Sequence, residues 1–555
     1  MNNPLRSAPR LALATLAAAL LAGCALTPPA EPVKVKVLAI NDFHGNLKPP
    51  QGGIRVRDAA GKLVAVEAGG AEHVATAVAQ IRAKNPNHVF VAAGDLIGAS
   101  PLLSALFRDE PTIEALGLMG LEASAVGNHE FDKGAAELLR MQRGGCDAKD
   151  GCKGPVPFAG AKFQYLAAST VDVKTGQTLL PATFVKRFQG IPVGFIGLTL
   201  KGTPNIVAPS GVAGLRFDDE AETVNRLVPE LQRQGVQAIV VLIHEGGVPS
   251  GDYNECPGLS GPIVDIVKKL DKAVDAVISG HTHRAYNCRI DGRLVTSGDK
   301  YGTVVTEIDL VLDPKTGDVI SATADNVIVR TASFVKDPRM TALIDGYEKL
   351  AAPLAGRVVG RLGAALPRQN NPAGENPLGQ VIADAQLAAT REAGAQVAFM
   401  NPGGIRAGLD MAADGLVRYA DLFAVQPFYN NLVTVTLSGA QVLQLLEEQW
   451  GDRDRESGRV LHVSQGFSYT WDRTAPVGQR IVRGSVRLNG QPLDPAAELR
   501  VTVNSFLGGG GDNFPVLRQG RDRRTGMMDV DAFELFVKAN PTLAPGPLNR
   551  ITRLN

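Results

Sequence analysis

Val126-Gly127-Asn128-His129-Glu130-Phe131-Asp132 decides how the chain is read. The run closes an apolar segment, 123–126, and precedes a helix-like stretch, 133–143. It therefore sits on a loop at the carboxyl end of a strand, where open α/β sheets assemble their sites. Four other loops, each following an apolar strand, carry matching groups. They are Asp42-Phe43-His44, Gly94-Asp95, His244-Glu245 and Gly280-His281-Thr282-His283. Taken singly, each has a structural reading: a capping Asp42, a turn at Gly94-Asp95, a core His244. With the opening run they gather five of the eight histidines, and two histidines on a glycine-led loop suit a divalent cation. His73, His88 and His462 lie in helix, strand-start and strand contexts and are read as structural.

Outward from these loops the chain alternates strands with helical stretches. Strand-like runs at 33–40, 89–93, 123–126, 238–243 and 274–279 alternate with helical periodicity such as Val74, Val78 and Ile81 within 70–84. A hairpin is expected at 184–198, and a closing antiparallel pair at 303–312 and 319–331. This is the pattern of a layered α/β domain, 33–335. A helical stretch bridges to a second domain at 336–356. The remainder, 357–555, mixes helices (378–392, 439–450) with strands (397–400, 432–437, 499–503) and reads as a smaller α+β domain.

Composition narrows the function. With 57 Lys+Arg against 56 Asp+Glu the net charge is +1, which argues against a polymeric nucleic-acid binder relying on bulk electrostatics. Residues 1–24 form an export segment. Arg6 and Arg10 precede an apolar run, 11–22, too short to span a bilayer. It ends in Leu21-Ala22-Gly23-Cys24, which resembles a bacterial lipoprotein processing box with a lipidated Cys24. Residues 25–32 then form a tether, and the membrane is a partner only through the lipid anchor; an ordinary secretory signal with a chance cysteine is the alternative. Four cysteines remain. An even number outside the cytosol favours disulfides. Cys146–Cys152 and Cys256–Cys288 are the pairs proposed among three connectivities, with free buried thiols as the alternative.

The order Asp-x-His, Gly-Asp, Gly-Asn-His-Glu, His, Gly-His-x-His resembles the calcineurin-like metallophosphatases, and among them the bacterial exported 5′-nucleotidases. The resemblance covers essentially the whole mature chain. It implies a layered αββα metallophosphatase domain followed by a smaller α+β substrate-binding domain. It also implies two divalent ions of the Zn, Mn, Co or Mg class. Asp42, His44 and His283 would hold one, Asn128, His244 and His281 the other, and Asp95 both. Such a pair, roughly 3.5–4 Å apart, clamps a phosphoryl group and lowers the pKa of a bound water to about 7. His129, directly after a ligand, is expected to serve the leaving oxygen, with Asp132 orienting it; a helix cap is the other reading of Asp132. Glu130 and Glu245 are expected to support the ligands by hydrogen bonds.

In the second domain the resemblance places Phe428 and Phe506 on either side of a nucleobase, Asp512 at the ribose hydroxyls, and Arg406 on phosphate. Asn401 and Asn430 are weaker polar contacts. Base–aromatic stacking tolerates different bases. The family often carries arginines just before the segment here read as Asn376-Pro377-Leu378-Gly379. In this chain the nearest upstream is Arg368, and Gln380 stands where some relatives have another arginine. The expectation is an exported 5′-nucleotidase acting on a small nucleotide. A 2′,3′-cyclic-nucleotide phosphodiesterase/3′-nucleotidase, a nucleotide-sugar or dinucleotide hydrolase, and a non-catalytic nucleotide-binding lipoprotein are the alternatives.

Overall fold

The computed structural model describes residues 31–58, 60–148, 151–451 and 459–555. The export segment with Cys24, and most of the tether, lie outside them. Among the described residues no helix is long and apolar enough to cross a membrane.

Strands β1 (Val33–Ile40), β2 (His88–Ala92), β3 (Ala123–Ala125) and β4 (Gln164–Leu166) lie side by side and parallel. The hairpin β5 (Thr183–Phe188) and β6 (Ile191–Thr199) opens a second sheet. There β7 (Ala238–His244) and β8 (Ala276–Ser279) add in parallel, and β9 (Tyr286–Ile290) and β10 (Arg293–Ser297) complete it. The pair β11 (Val304–Leu312) and β12 (Val319–Ile328) returns antiparallel to β1. The sheets run β12-β11-β1-β2-β3-β4 and β9-β10-β8-β7-β6-β5.

The period-two alternation of side chains along a strand explains the layers. Val35, Val37, Val91, Phe195, Val240 and Leu310 meet between the sheets. The alternate residues Leu38, Ile40 and Phe90 pack on the helices Ala71–Ala83 and Glu110–Met119. Ile239, Val241 and Ile243 pack on Glu220–Arg233 and Pro262–Lys269. Strands buried on both faces read as nearly continuous apolar runs, and the result is an αββα sandwich. Both disulfides form: Cys146–Cys152 with Cα atoms 4.6 Å apart, and Cys256–Cys288 at 5.2 Å.

The helix expected at 133–143 is shorter. His129–Phe131 forms its own 3₁₀ turn, Gly134 takes φ 92°, and the α-helix begins at Ala135. That break frees Asp132 from any capping duty.

The bridging helix Pro338–Ala355 is capped by Asp337, whose carboxylate accepts from Arg339 N–H at 2.8 Å. Its Met340 and Ile344 join the first domain's core, while Leu354 and Ala355 pack on the second's. The second domain is α+β. Its main sheet holds β13 (Val397–Met400), β14 (Asn431–Ser438), β15 (His462–Val463), β16 (Glu498–Asn504) and β17 (Arg521–Met528), in the order β15-β13-β16-β14-β17. The run Gln426-Pro427-Phe428-Tyr429-Asn430 is a loop leading into β14, with Tyr429 turning at φ 53°.

Candidate metal centre and interdomain cleft

Because β1, β2 and β3 are mutually parallel, as are β6, β7 and β8, the carboxyl ends of each set emerge on one side. All five loops therefore converge. Three groups of side chains come within metal-sharing distance: Asp42 with His44 and His283, Asp95 with His244 and His281, and His44 with Asp95 and His129.

Asp95 stands at the centre. Its Oδ2 lies 2.9 Å from His244 Nε2 and 3.6 Å from His44 Nε2, one histidine from each expected half-site. Its Oδ1 accepts the His129 backbone N–H at 2.9 Å. Asp42 Oδ1 faces His283 Nε2 at 3.3 Å, and Oδ2 accepts from His281 N–H at 2.9 Å. His44 Nδ1 meets the Gly98 carbonyl at 2.8 Å, and His244 Nδ1 the Ala93 carbonyl at 2.7 Å. A carbonyl accepts only, so both rings carry the proton on Nδ1 and turn Nε2 inward, the arrangement of a metal-binding histidine.

The donor set fits two divalent cations. Asn128 Oδ1 is buried with no hydrogen-bond partner, and an orphaned buried polar atom needs an explanation. Burial first, then neighbouring cationic side chains, hold His44 and His283 well below the usual imidazole range. Burial and His244 take His281 down to about 3. Neutral imidazole is the ligating form. His244 departs: burial disfavours its cation, but Asp95 outweighs this and raises it to about 10. The proton held between His244 and Asp95 occupies a place a cation would take, and cation binding displaces such protons. Backbone strain points the same way. Asp42, His44, Asp95, His281 and His283 all have φ between 45° and 69°. Strained non-glycine residues persist where the surroundings over-determine them, as at functional sites.

Two glycines permit this crowding. A side chain on Gly127 would collide with the Asp95 carboxylate, and one on Gly98, at φ 83°, would strike His129 and Asp132. His129 Nδ1 meets Asp132 Oδ2 at 2.8 Å. Burial works against the imidazolium of His129, but Asp132 and Asp95 outweigh it and raise its pKa. Glu130 faces the protein. Its carboxylate accepts from the N–H groups of Asp95 (3.0 Å), Leu96 (2.8 Å) and Gly127 (2.7 Å), tying two ligand loops together. Glu130→Ala strands these donors, at about 1–3 kcal/mol for each that finds no water. The expected outcome is a clear fall in the first domain's calorimetric unfolding temperature, with Glu130→Gln losing less. Asn41 lies outside the residues that sequence reasoning singles out. Its Nδ2 donates to Asp42 Oδ2 and to the Asp299 carbonyl, both at 2.7 Å. Its place one residue before Asp42 is the available signal.

The second domain closes over this centre. Arg406 has its Nε and Nη2 buried without partners, and its charge depresses both His44 and His283. It borders a cleft of about 1200 Å³ shared with His283, Tyr301 and Arg368. Arg368 Nη1 donates to the Ile405 carbonyl at 2.7 Å, beside Arg406. The Phe428 ring stacks on His129, centroids 5.8 Å apart and planes 21° from parallel. Phe506 lies against the second domain's core, partly buried, and no ring contact joins it to Phe428 among the described residues. Asp512 accepts from Asn401 Nδ2 at 2.7 Å and lies 3.4 Å from Arg459 Nη1. Asn430 accepts from Ser505 Oγ at 3.0 Å and hydrogen-bonds the buried Asp529. It thus ties the Phe428 loop to the Phe506 loop.

Comparison with known proteins matches the two domains separately. The calcineurin-like phosphoesterase model covers residues 35–285, and the 5′-nucleotidase C-terminal domain model covers 356–519. The chain is 31% identical to Endonuclease YhcR of Bacillus subtilis (strain 168) over 520 residues, 92% of this chain but 40% of that protein. It is 31% identical to Cell wall protein Lmo0130 of Listeria monocytogenes serovar 1/2a over 545 residues, covering 92% of this chain and 67% of that one. The crystal structure of a 5′-nucleotidase precursor from Thermus thermophilus superposes with a TM-score of 0.77 at 27% identity, over 94% of this chain and 100% of that one.

Proposed function

Since the chain belongs to the family that joins a calcineurin-like phosphoesterase domain to a 5′-nucleotidase C-terminal domain, we propose that it is a metal-dependent hydrolase releasing phosphate from nucleoside 5′-phosphates outside the cytoplasm. The observation that carries this reading is Arg406, whose Nε and Nη2 are buried without hydrogen-bond partners on the cleft that His283 also borders. A fixed cation facing a cation-binding centre calls for an anion between them, and a guanidinium forks well onto phosphate.

Asp42, His44 and His283 would hold one divalent ion and Asn128, His244 and His281 the other, with Asp95 shared. When bound, such a pair supplies an activated water and neutralises the phosphoryl oxygens. The protein's own groups do the rest. Arg406, helped by Arg368, orients the phosphate. His129, steadied by Asp132, meets the leaving 5′-oxygen and hands it a proton. Phe428 and Phe506 flank the base, and Asp512 with Asn401 takes the ribose. Asn430 contributes by holding the two phenylalanine loops in register as well as by any contact of its own. Domain rotation about the helix Pro338–Ala355 admits the nucleotide and releases the products. The leader ending at Cys24 and a cell-wall relative support export, and a lipid anchor at Cys24 follows from the same leader.

A panel of AMP, 3′-AMP, 2′,3′-cyclic AMP, UDP-glucose and NAD tests the reading. AMP is expected to be turned over fastest, with phosphate release abolished by chelator and restored by manganese or zinc. Preference for the cyclic substrate or for 3′-AMP would move the chain to the phosphodiesterase/3′-nucleotidase class, and turnover of none would leave a binding protein. Phe506→Ala is expected to raise KM for AMP about tenfold with kcat little changed, as loss of one base stack of roughly 1–3 kcal/mol requires; steady-state kinetics checks it.

A further inference from the structure

The turn Asp299-Lys300-Tyr301-Gly302 lies beside the metal centre and supplies none of its expected ligands. Three of its four residues sit in the left-handed region: Asp299 at φ 59°, Tyr301 at 58° and Gly302 at 71°. For a residue as bulky as tyrosine this is a genuine outlier. The turn is held there from several sides. Tyr301 N–H donates to the Asp42 carbonyl at 2.7 Å. Asn41 binds the Asp299 carbonyl and the Asp42 carboxylate at once. Thr303 Oγ1 donates to the Lys300 carbonyl at 2.7 Å. A side chain on Gly302 would press on Val74 and Phe43.

This scaffolding delivers one ring to one place. Tyr301 packs edge-on against His44 and against His283, with centroids 5.8 Å away in each case. No aromatic contact of Tyr301 reaches His244 or His281 among the described residues; those two pack on each other at 5.2 Å. Tyr301 also meets the Lys300 ammonium, 5.3 Å from the ring centroid.

We propose that Tyr301 is a positioning residue for one half of the metal centre: its ring, fixed by a strained turn, sets the orientation of His44 and His283 and so the affinity for the ion they share with Asp42. The proposal rests on the two-cation reading above and assigns Tyr301 to one ion only. Strain in the turn then has a physical purpose. Without that ring the two imidazoles would lose a packing wall, His44 keeping its bond to the Gly98 carbonyl, and ligand orientation set by neighbouring groups typically controls metal affinity about 10–100-fold.

Titration calorimetry of the metal-stripped mature chain with manganese tests this without reference to activity. Wild type is expected to bind two equivalents. Tyr301→Ala is expected to keep one and to weaken the other at least about tenfold, whereas Tyr301→Phe, which keeps the ring, binds both nearly as wild type does. The half-site is identified in two backgrounds. With His281→Ala the added Tyr301→Ala weakens the remaining ion; with His283→Ala it leaves the remaining ion unchanged. Tyr301→Leu, which fills the space without an aromatic edge, is expected to behave as Tyr301→Ala and serves if the alanine variant fails to fold. Wild-type affinity for both ions in Tyr301→Ala and Tyr301→Leu, or equal weakening of both, overturns the proposal. A wild-type chain that binds no manganese, zinc or cobalt overturns the two-cation reading, and the proposal with it.

Discussion

Asp95→Ala is expected to abolish phosphate release to within background, a fall of at least about a thousandfold, and to leave the chain unable to hold two cations at once. The size follows from what the carboxylate touches. Asp95 Oδ2 lies between His44 and His244, one from each proposed half-site, so its loss would remove the carboxylate that the two-cation reading gives to both ions. A divalent ion contributes several kcal/mol of transition-state charge stabilisation, and each 1.36 kcal/mol is tenfold in rate. A second effect adds to the first. Asp95 Oδ1 accepts the His129 backbone N–H, so the loop carrying His129 is expected to loosen as well. Metal analysis of the purified variant by plasma mass spectrometry, beside AMP hydrolysis, checks both. Two retained equivalents together with undiminished turnover would remove Asp95 from the centre.

His129→Ala is the complementary case, with rate lost and metal kept. Removing a positioned general acid typically costs 10²–10⁴-fold, and a fall in kcat of at least about a hundredfold is expected. The geometry admits a rival, because His129 also lies within metal-sharing distance of His44 and Asp95. Its Nδ1 is engaged by Asp132 at 2.8 Å, which leaves Nε2 open to either role. Metal content discriminates: two equivalents in His129→Ala support the donor, and one supports the ligand. A leaving group that needs no proton gives a second readout. With 4-nitrophenyl phosphate the loss should be much smaller than with AMP, because 4-nitrophenolate departs unprotonated. An equal loss with both esters would count against proton donation.

Much of the centre could be read from the chain in order, because each of its pieces is local. The β-branched runs 33–40 and 238–244 can be buried only as inner strands, and a polar group directly after such a strand has nowhere to be but the sheet's carboxyl edge. That logic places Asp42, His44, Asp95, Asn128, His244, His281 and His283 at strand ends, and the fold brings those ends together. What a linear reading misses is set by contacts between residues far apart in sequence. Asn41 matters because it bridges Asp42 and Asp299, more than two hundred and fifty positions away. Tyr301 matters because a turn after the second sheet lays its ring on histidines from both sheets. Asn430 reads as a polar contact for the nucleotide until the fold joins it to Ser505 and Asp529. The helix start at Ala135 rather than 133 was a local matter that periodicity could not resolve, because Gly134 takes a backbone angle of 92° that leaves no trace in an apolar pattern.

By itself the sequence determined which polar residues lie at strand ends, since hydrophobic alternation and the spacing of polar groups are properties of the chain. Only the tertiary structure decided how those residues are aimed. Ring tautomers, the central position of Asp95, the unpaired Nε and Nη2 of Arg406 and the strained turn at Tyr301 all depend on the two sheets and the second domain meeting in space, and no local pattern encodes the geometry of that meeting.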